Sequence, residues 1–393
     1  MPFRLTVACA ALLLAAAGLA RAAEFTDAAG RRLVLPDRIG RILPAGPAAD
    51  VLVFALAPDR LAGWSRARPG AYLPPRYARL PVAGPLPEAA TRLHPDLILD
   101  AGMVTPARAA FADQVQQQTG IPYVLVDDSI SRTPSMLRHL GALLGVAERA
   151  EDLAGYAEVA IRAMRGRLLI EPADRRKRVY YGRRSDGLET ALPGSPAADA
   201  LDEAGVINVA AGLGRGERVI VTREQIVGWN PEIVIAADRA FYESLLHDPG
   251  WRDLAAVRGR RVYLEPSNPF GWIDEPPGIN RMIGLYWLAS LFYPEELEQD
   301  LRSATAEFYD KFYRVKLSAK QLDALLKPAE AHGSRSPQLV SEALMKLNAP
   351  PGGGAAPAPG YLPGLPPPGR RGLPMTMPPA PMPATPGAPA PPK

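Results

Sequence analysis

Two stretches of this 393-residue chain share one grammar. Leu93 to Gly102 reads LHPDLILDAG, and Trp229 to Asp238 reads WNPEIVIAAD. Each is a polar residue, a proline, an acid and then an apolar run. Each also follows a helix-like segment, LPEAATRL in the first case and TREQIVGW in the second. A proline lacks the amide that would continue a helix and forces its predecessor out of helical geometry. The short apolar run behind it has the length of a strand buried on both faces. A chain that contains this unit twice is constrained to two α/β halves of similar construction.

The segments around the two units bear this out as a pattern. FTDAAGRRLVLP reads as two short strands joined by a turn at Asp27 to Gly30. RIGRILPAG, RLAGWS, LPVAG, LILDAG and YVLVDD read as strands, with helices at PAADVLVFALAP and ARAAFADQVQQQTG. Such alternation predicts a mainly parallel sheet. TPSMLRHLGALLG is a helix, and residues 147–170 form a second, roughly 35 Å long at 1.5 Å per residue. The alternation then resumes with RVYYGRR, VINVA, EIVIAAD and RVYLEP, and closes with two amphipathic helices, GINRMIGLYWLASLFYP and EQDLRSATAEFYDKFY. The expected fold is therefore α/β: two α/β sandwich lobes with mainly parallel sheets, 23–146 and 171–315, joined by the 147–170 helix with a ligand cleft between them. A helical extension follows at 316–348.

The two ends differ from the middle. MPFR, an apolar run and ARA at Ala20 to Ala22 read as a cleaved secretory signal peptide over residues 1–22. The single cysteine, Cys9, lies inside it, so the mature chain is expected to carry no disulfide and no thiolate metal site. Residues 349–393 are dominated by Pro, Gly and Ala, the composition of a disordered tail. Lys and Arg total 45 against 41 Asp and Glu, a mild excess that does not indicate a nucleic-acid partner. The expectation is a soluble periplasmic monomer.

Motifs for catalysis are absent. The chain has no G-x-S-x-G and no H-E-x-x-H, and its four histidines, His94, His139, His247 and His332, are scattered. Neither an enzyme nor a bare-metal site is expected, and no cofactor. What stands out instead are loops after strands that are rich in aromatics and arginine. One carries Trp64, Arg66, Tyr72 and Arg76, a second Arg183 and Arg184, and a third Phe270 and Trp272. Aromatic faces with guanidinium forks suit a bulky anionic chelate, by stacking and bidentate hydrogen bonds.

Those loops also carry a resemblance. FTDAAGRRLVLP, RILPAG, AADVLVFALAPDRLAGW, LHPDLILDAG, GIPYVLVDD, GLETALPGS, QIVGWNPEIVIA and FGWIDEPPGINRMIGLYWLASLFYP follow in order between Phe25 and Tyr313. In order and spacing they resemble the periplasmic substrate-binding proteins of iron-siderophore, cobalamin and haem ABC importers, the class with a rigid helix between lobes. The resemblance implies capture of a small-molecule metal chelate, most readily a ferric siderophore, and delivery to an inner-membrane permease with its ATPase. Haem, cobalamin, molybdate and tungstate are the alternatives, with Tyr72, Tyr77 or Tyr181 as axial ligands in the haem case. It also implies an acid on each lobe that docks the permease, at positions occupied here by Asp50 and Asp199, where the family usually has Glu. A rival from another class is an envelope scaffold that acts through the proline-rich tail.

Overall fold

A computed structural model describes residues 23–66, 72–168 and 176–330. The signal-peptide segment, the 349–393 tail and the helix expected at SPQLVSEALMKL lie outside them. The chain opens with a hairpin, β1 (Ala23–Thr26) against β2 (Arg32–Leu35). Its turn is held by Asp27, whose carboxylate accepts the amides of Ala29, Arg31 and Leu125 and pairs with Arg31.

The first sheet consists of β3 (Ile42–Pro44), β4 (Leu97–Ala101) and β5 (Tyr123–Val126), all parallel. RLAGWS and LPVAG extend its β3 edge only as single bridges, Ile42 to Leu61 and Trp64 to Val82. Helix α1 (Pro47–Leu56) follows β3, α2 (Pro106–Thr119) joins β4 to β5, and α3 (Thr133–Leu143) follows β5. Helix α4 (Ala147–Leu168) then leads to the second lobe. It buries a stripe of Ala150, Leu153, Ala154, Ala157, Ala160, Ile161 and Met164, the i, i+3, i+4 spacing of a packed helix face.

The second sheet is six-stranded, in the order β11 (Val262–Leu264), β10 (Ile233–Ala236), β6 (Arg178–Arg183), β7 (Glu189–Ala191) and β9 (Arg218–Ile220), with β8 (Ile207–Asn208) also on β6. The β6, β8, β10 and β11 pairings are parallel, whereas β7 is antiparallel to both neighbours. Helices α5 (Pro196–Glu203), α6 (Arg223–Trp229) and α7 (Arg239–His247) cover it.

The repeated unit now has a physical explanation. His94 and Asn230 each end a short helix with a left-handed backbone, φ 44° in both. The proline follows, and then the acid reaches back to the start of the neighbouring strand. Asp96 accepts the amides of Gly40 and Arg41 at 2.7 and 2.8 Å, and Glu232 accepts that of Arg178 at 3.3 Å. The apolar runs then alternate between two cores. Leu97 and Leu99, like Ile233 and Ile235, face a core shared by both lobes, while Ile98 and Val234 face the outer cores of their own lobes.

Two details depart from the sequence pattern. Helix α8 (Arg281–Phe292), expected to be amphipathic, is buried at every residue because it lies among α4, α5 and α9 (Pro294–Phe308). The chain then returns to the first lobe. A π-helical turn at Tyr309–Tyr313 packs on α1, with Tyr313 against Phe54, and Arg314 donates to the Phe54 and Ala55 carbonyls at the C-terminal end of α1. Helix α10 (Ala319–Glu330) ends the described chain. No helix among the described residues is long and apolar enough to cross a membrane.

Candidate functional site

A cleft of about 920 Å³ opens between the lobes, at the C-terminal ends of the parallel strands. Two helix starts face it, one from each lobe. Gly46, Pro47 and Ala48 begin α1, where no side chain caps the amides. Ser195 and Pro196 begin α5, where the Ser195 hydroxyl accepts the Ala198 amide. Both starts present partial positive charge to the cleft. Among the described residues there is no group of three or more His, Cys, Asp or Glu placed to hold a metal ion.

The expected ligand-binding residues divide into four groups. Arg66 stands exposed at the cleft wall. Trp64 and Phe270 belong to the cleft lining but are only 0% and 6% exposed; the Trp64 indole donates to the Tyr77 carbonyl, and its ring packs on Phe54 and Phe270. They are core residues rather than open stacking faces, since both rings pack within the core shared by the lobes. Arg183 lines the cleft but is buried and contacts Glu189, Asp274 and Glu275, each at 3.1 Å, so its charge is spent within the second lobe.

Four residues sit outside the cleft lining. Trp272 is fully buried, with its indole on the Tyr309 hydroxyl. Tyr72 is half-buried at φ 70° and packs on the shared core. Arg76 lies over the Tyr77 ring and near Asp59, and Arg184 is exposed beside Glu189. The tyrosines considered as axial ligands are engaged as well: Tyr77 donates to Asp59, and the buried Tyr181 to Glu265.

The two acids expected to dock a permease are not free rim charges. Asp50, in the first turn of α1, is 4% exposed and lines the cleft. Its carboxylate accepts the Ser65 amide and hydroxyl, and burial pushes its pKa up to about 7 against the pull of those bonds and of Arg66. Asp199 spends its Oδ2 on Arg281 at 2.9 Å and on the Ile130 amide at 2.9 Å, tying α5 to the segment after β5. Arg281, 1% exposed, also donates to the carbonyls of Pro196, Gly278 and Asp128.

The open surface of the first-lobe wall comes from residues that sequence reasoning passed over. Met103, Ala107, Arg108 and Phe111 line the cleft, with Met103 39% and Phe111 48% exposed. A signal for them was present, since GMVTPARAAF directly follows the end of a parallel strand, where ligand loops gather.

Residues 84–269 match the periplasmic binding protein family. An ABC transporter solute-binding protein from Sulfurospirillum deleyianum superposes with a TM-score of 0.69 at 28% identity, over 77% of this chain and 99% of that one. The molybdate-binding protein MolA of Haemophilus influenzae is 24% identical over 321 residues, covering 74% of this chain and 90% of its own sequence. The molybdate-bound structure of MolA superposes with a TM-score of 0.64 at 21% identity, over 75% of this chain and 99% of that one. In its 84–269 match and in its overall α/β fold, the chain resembles the periplasmic binding proteins, among them solute-binding proteins of ABC transporters.

Proposed function

We propose that the chain, exported by residues 1–22, captures an anionic metal chelate in the periplasm and hands it unchanged to an inner-membrane permease and its ATPase. A ferric siderophore-type complex is the first choice of ligand. The observation that carries this reading is the cleft itself: about 920 Å³, with two helix starts and Arg66 and Arg108 beside exposed Met103 and Phe111. That volume is at the scale of a drug-sized ligand, and the wall offers both cations and apolar surface. A second reading, molybdate or tungstate, is favoured by the likeness to MolA, and the two helix starts suit an oxyanion.

Thermal unfolding against ferric siderophores, ferric citrate, haemin, cobalamin, molybdate and tungstate tests both readings. A ligand at 100 times its Kd adds about 2.7 kcal/mol of stability. A shift with an anionic iron chelate supports the first reading. A shift with molybdate or tungstate alone replaces it with the second, and no shift with any of them refutes both.

A further inference from the structure

Arg108 occupies a position that ordinary helix energetics disfavours. It lies in the first turn of α2, where its amide is capped by the Thr105 hydroxyl at 3.2 Å. A cation at that end opposes the helix dipole. The surrounding residues hold it there nonetheless. Its Nη2 donates to Asp100 Oδ1 at 2.5 Å and to the Ala101 carbonyl at 3.1 Å, and its Nη1 to the Met103 carbonyl at 3.3 Å. Asp100 is buried, and the Tyr123 hydroxyl donates to its other oxygen at 3.1 Å. Gly102 completes the seat. At φ 153°, a Cβ there would stand 1.9 Å from Arg108 Nη1, so the guanidinium lies where a side chain would otherwise be.

These features orient one guanidinium in the cleft wall while leaving 34% of its side chain open. Among the cations that line the cleft, Arg183 is consumed by three carboxylates and Arg218 lies beside Glu189 and Glu217, while Arg66 is exposed on the first-lobe wall and Arg108 is the one held in a buried carboxylate seat; Arg76 and Arg184 are outside the cleft. Arg108 is flanked by the exposed Met103 and Phe111 on the same wall.

We infer that Arg108 is the first-lobe anchor for the anionic edge of the ligand, with Met103 and Phe111 receiving the ligand's apolar body. The inference rests on the chelate reading above and deepens it by assigning the residue that selects for ligand charge. A guanidinium prefixed by Asp100 loses little freedom on binding, and its planar fork can engage a carboxylate or catecholate edge with geometry that an ammonium cannot supply.

The test uses the full mature chain and two probes, an anionic ferric tris-catecholate and an uncharged ferric tris-hydroxamate, followed by tryptophan fluorescence quenching. For wild type, the anionic probe is expected to bind more tightly. Arg108→Ala is expected to weaken the anionic probe about 10- to 100-fold, the scale of one lost charged hydrogen-bonding group, and to change the uncharged probe less than about threefold. Arg108→Lys should fall between wild type and Arg108→Ala. Gly102→Ala, which displaces the guanidinium without removing it, should reproduce the Arg108→Ala pattern. Arg184→Ala, outside the cleft, should match wild type.

Melting curves of each variant separate a loss of fold from a loss of ligand. Equal weakening of both probes by Arg108→Ala, or no weakening of either, overturns the anchor while the chelate reading stands. Failure of wild type to bind either probe overturns both.

Discussion

Replacing Arg281 by methionine removes the centre of the tie between the lobes. Arg281 is 1% exposed and donates to the Asp199 carboxylate and to the carbonyls of Pro196, Gly278 and Asp128, and it lies 3.6 Å from Asp128 Oδ2. Methionine fills much of the volume, so the cavity term is small, but two acids lose their cation. The Asp199 side chain is 36% exposed and can recruit water, whereas that of Asp128 is 5% exposed and cannot. Breaking a buried pair by removing one partner costs about 3–5 kcal/mol, and the partial exposure of Asp199 places the expected loss near the lower end.

Burial already pushes the Asp128 carboxyl up, with Arg281 the main opposing influence. In the variant Asp128 therefore holds its proton more tightly, so the loss should be larger at pH 8 than at pH 5. Urea unfolding followed by tryptophan fluorescence measures the change, and a cycle with Asp199→Asn apportions it. A loss below about 1 kcal/mol, or strict additivity in the cycle, would refute the account of a shared buried tie.

Two further outcomes follow from the same geometry. Burial pushes Glu265 up to about 8 from 4.5, against bonds from Ile273, Tyr181 and Asp274. The native state therefore keeps a proton that the unfolded chain gives up, and stability falls as pH rises through that window, by up to about 1.4 kcal/mol per pH unit. Glu265→Gln should flatten the slope, stabilising the chain at pH 8 relative to wild type more than at pH 5. Parallel stability profiles from urea unfolding at the two pH values would show that the carboxyl is not buried in this way. Asp96→Ala should cost about 1–2 kcal/mol by releasing two strand amides, and Glu232→Ala less, because it holds one amide at a longer distance. Equal unfolding midpoints for the two variants would remove the distinction.

The α/β class and the joining helix were legible because they depend on local patterns. Pro95 and Pro231 stop helices whatever surrounds them, and the stripe from Ala150 to Met164 follows helical spacing. The site was read less well. Trp64, Phe270 and Trp272 carry the same chemistry in the core as in a cleft, and composition cannot say which way a loop turns. Arg183 looked available until Glu189, Asp274 and Glu275 were brought around it from other elements. Arg108 was overlooked because a single arginine in an alanine-rich helix has no unusual neighbours in sequence.

By itself the sequence determined two similar α/β halves, a rigid helix between them and a family resemblance that spans the folded chain, because periodicity, proline and caps act within a few residues. Only the tertiary structure decided which charges remain for a ligand. Asp50, Asp199 and Arg183 are committed to partners distant in sequence, while Asp100, Gly102 and Tyr123 prepare Arg108. Charge availability is a matter of which partners lie within about 3 Å, and it is long-range folding that places them there.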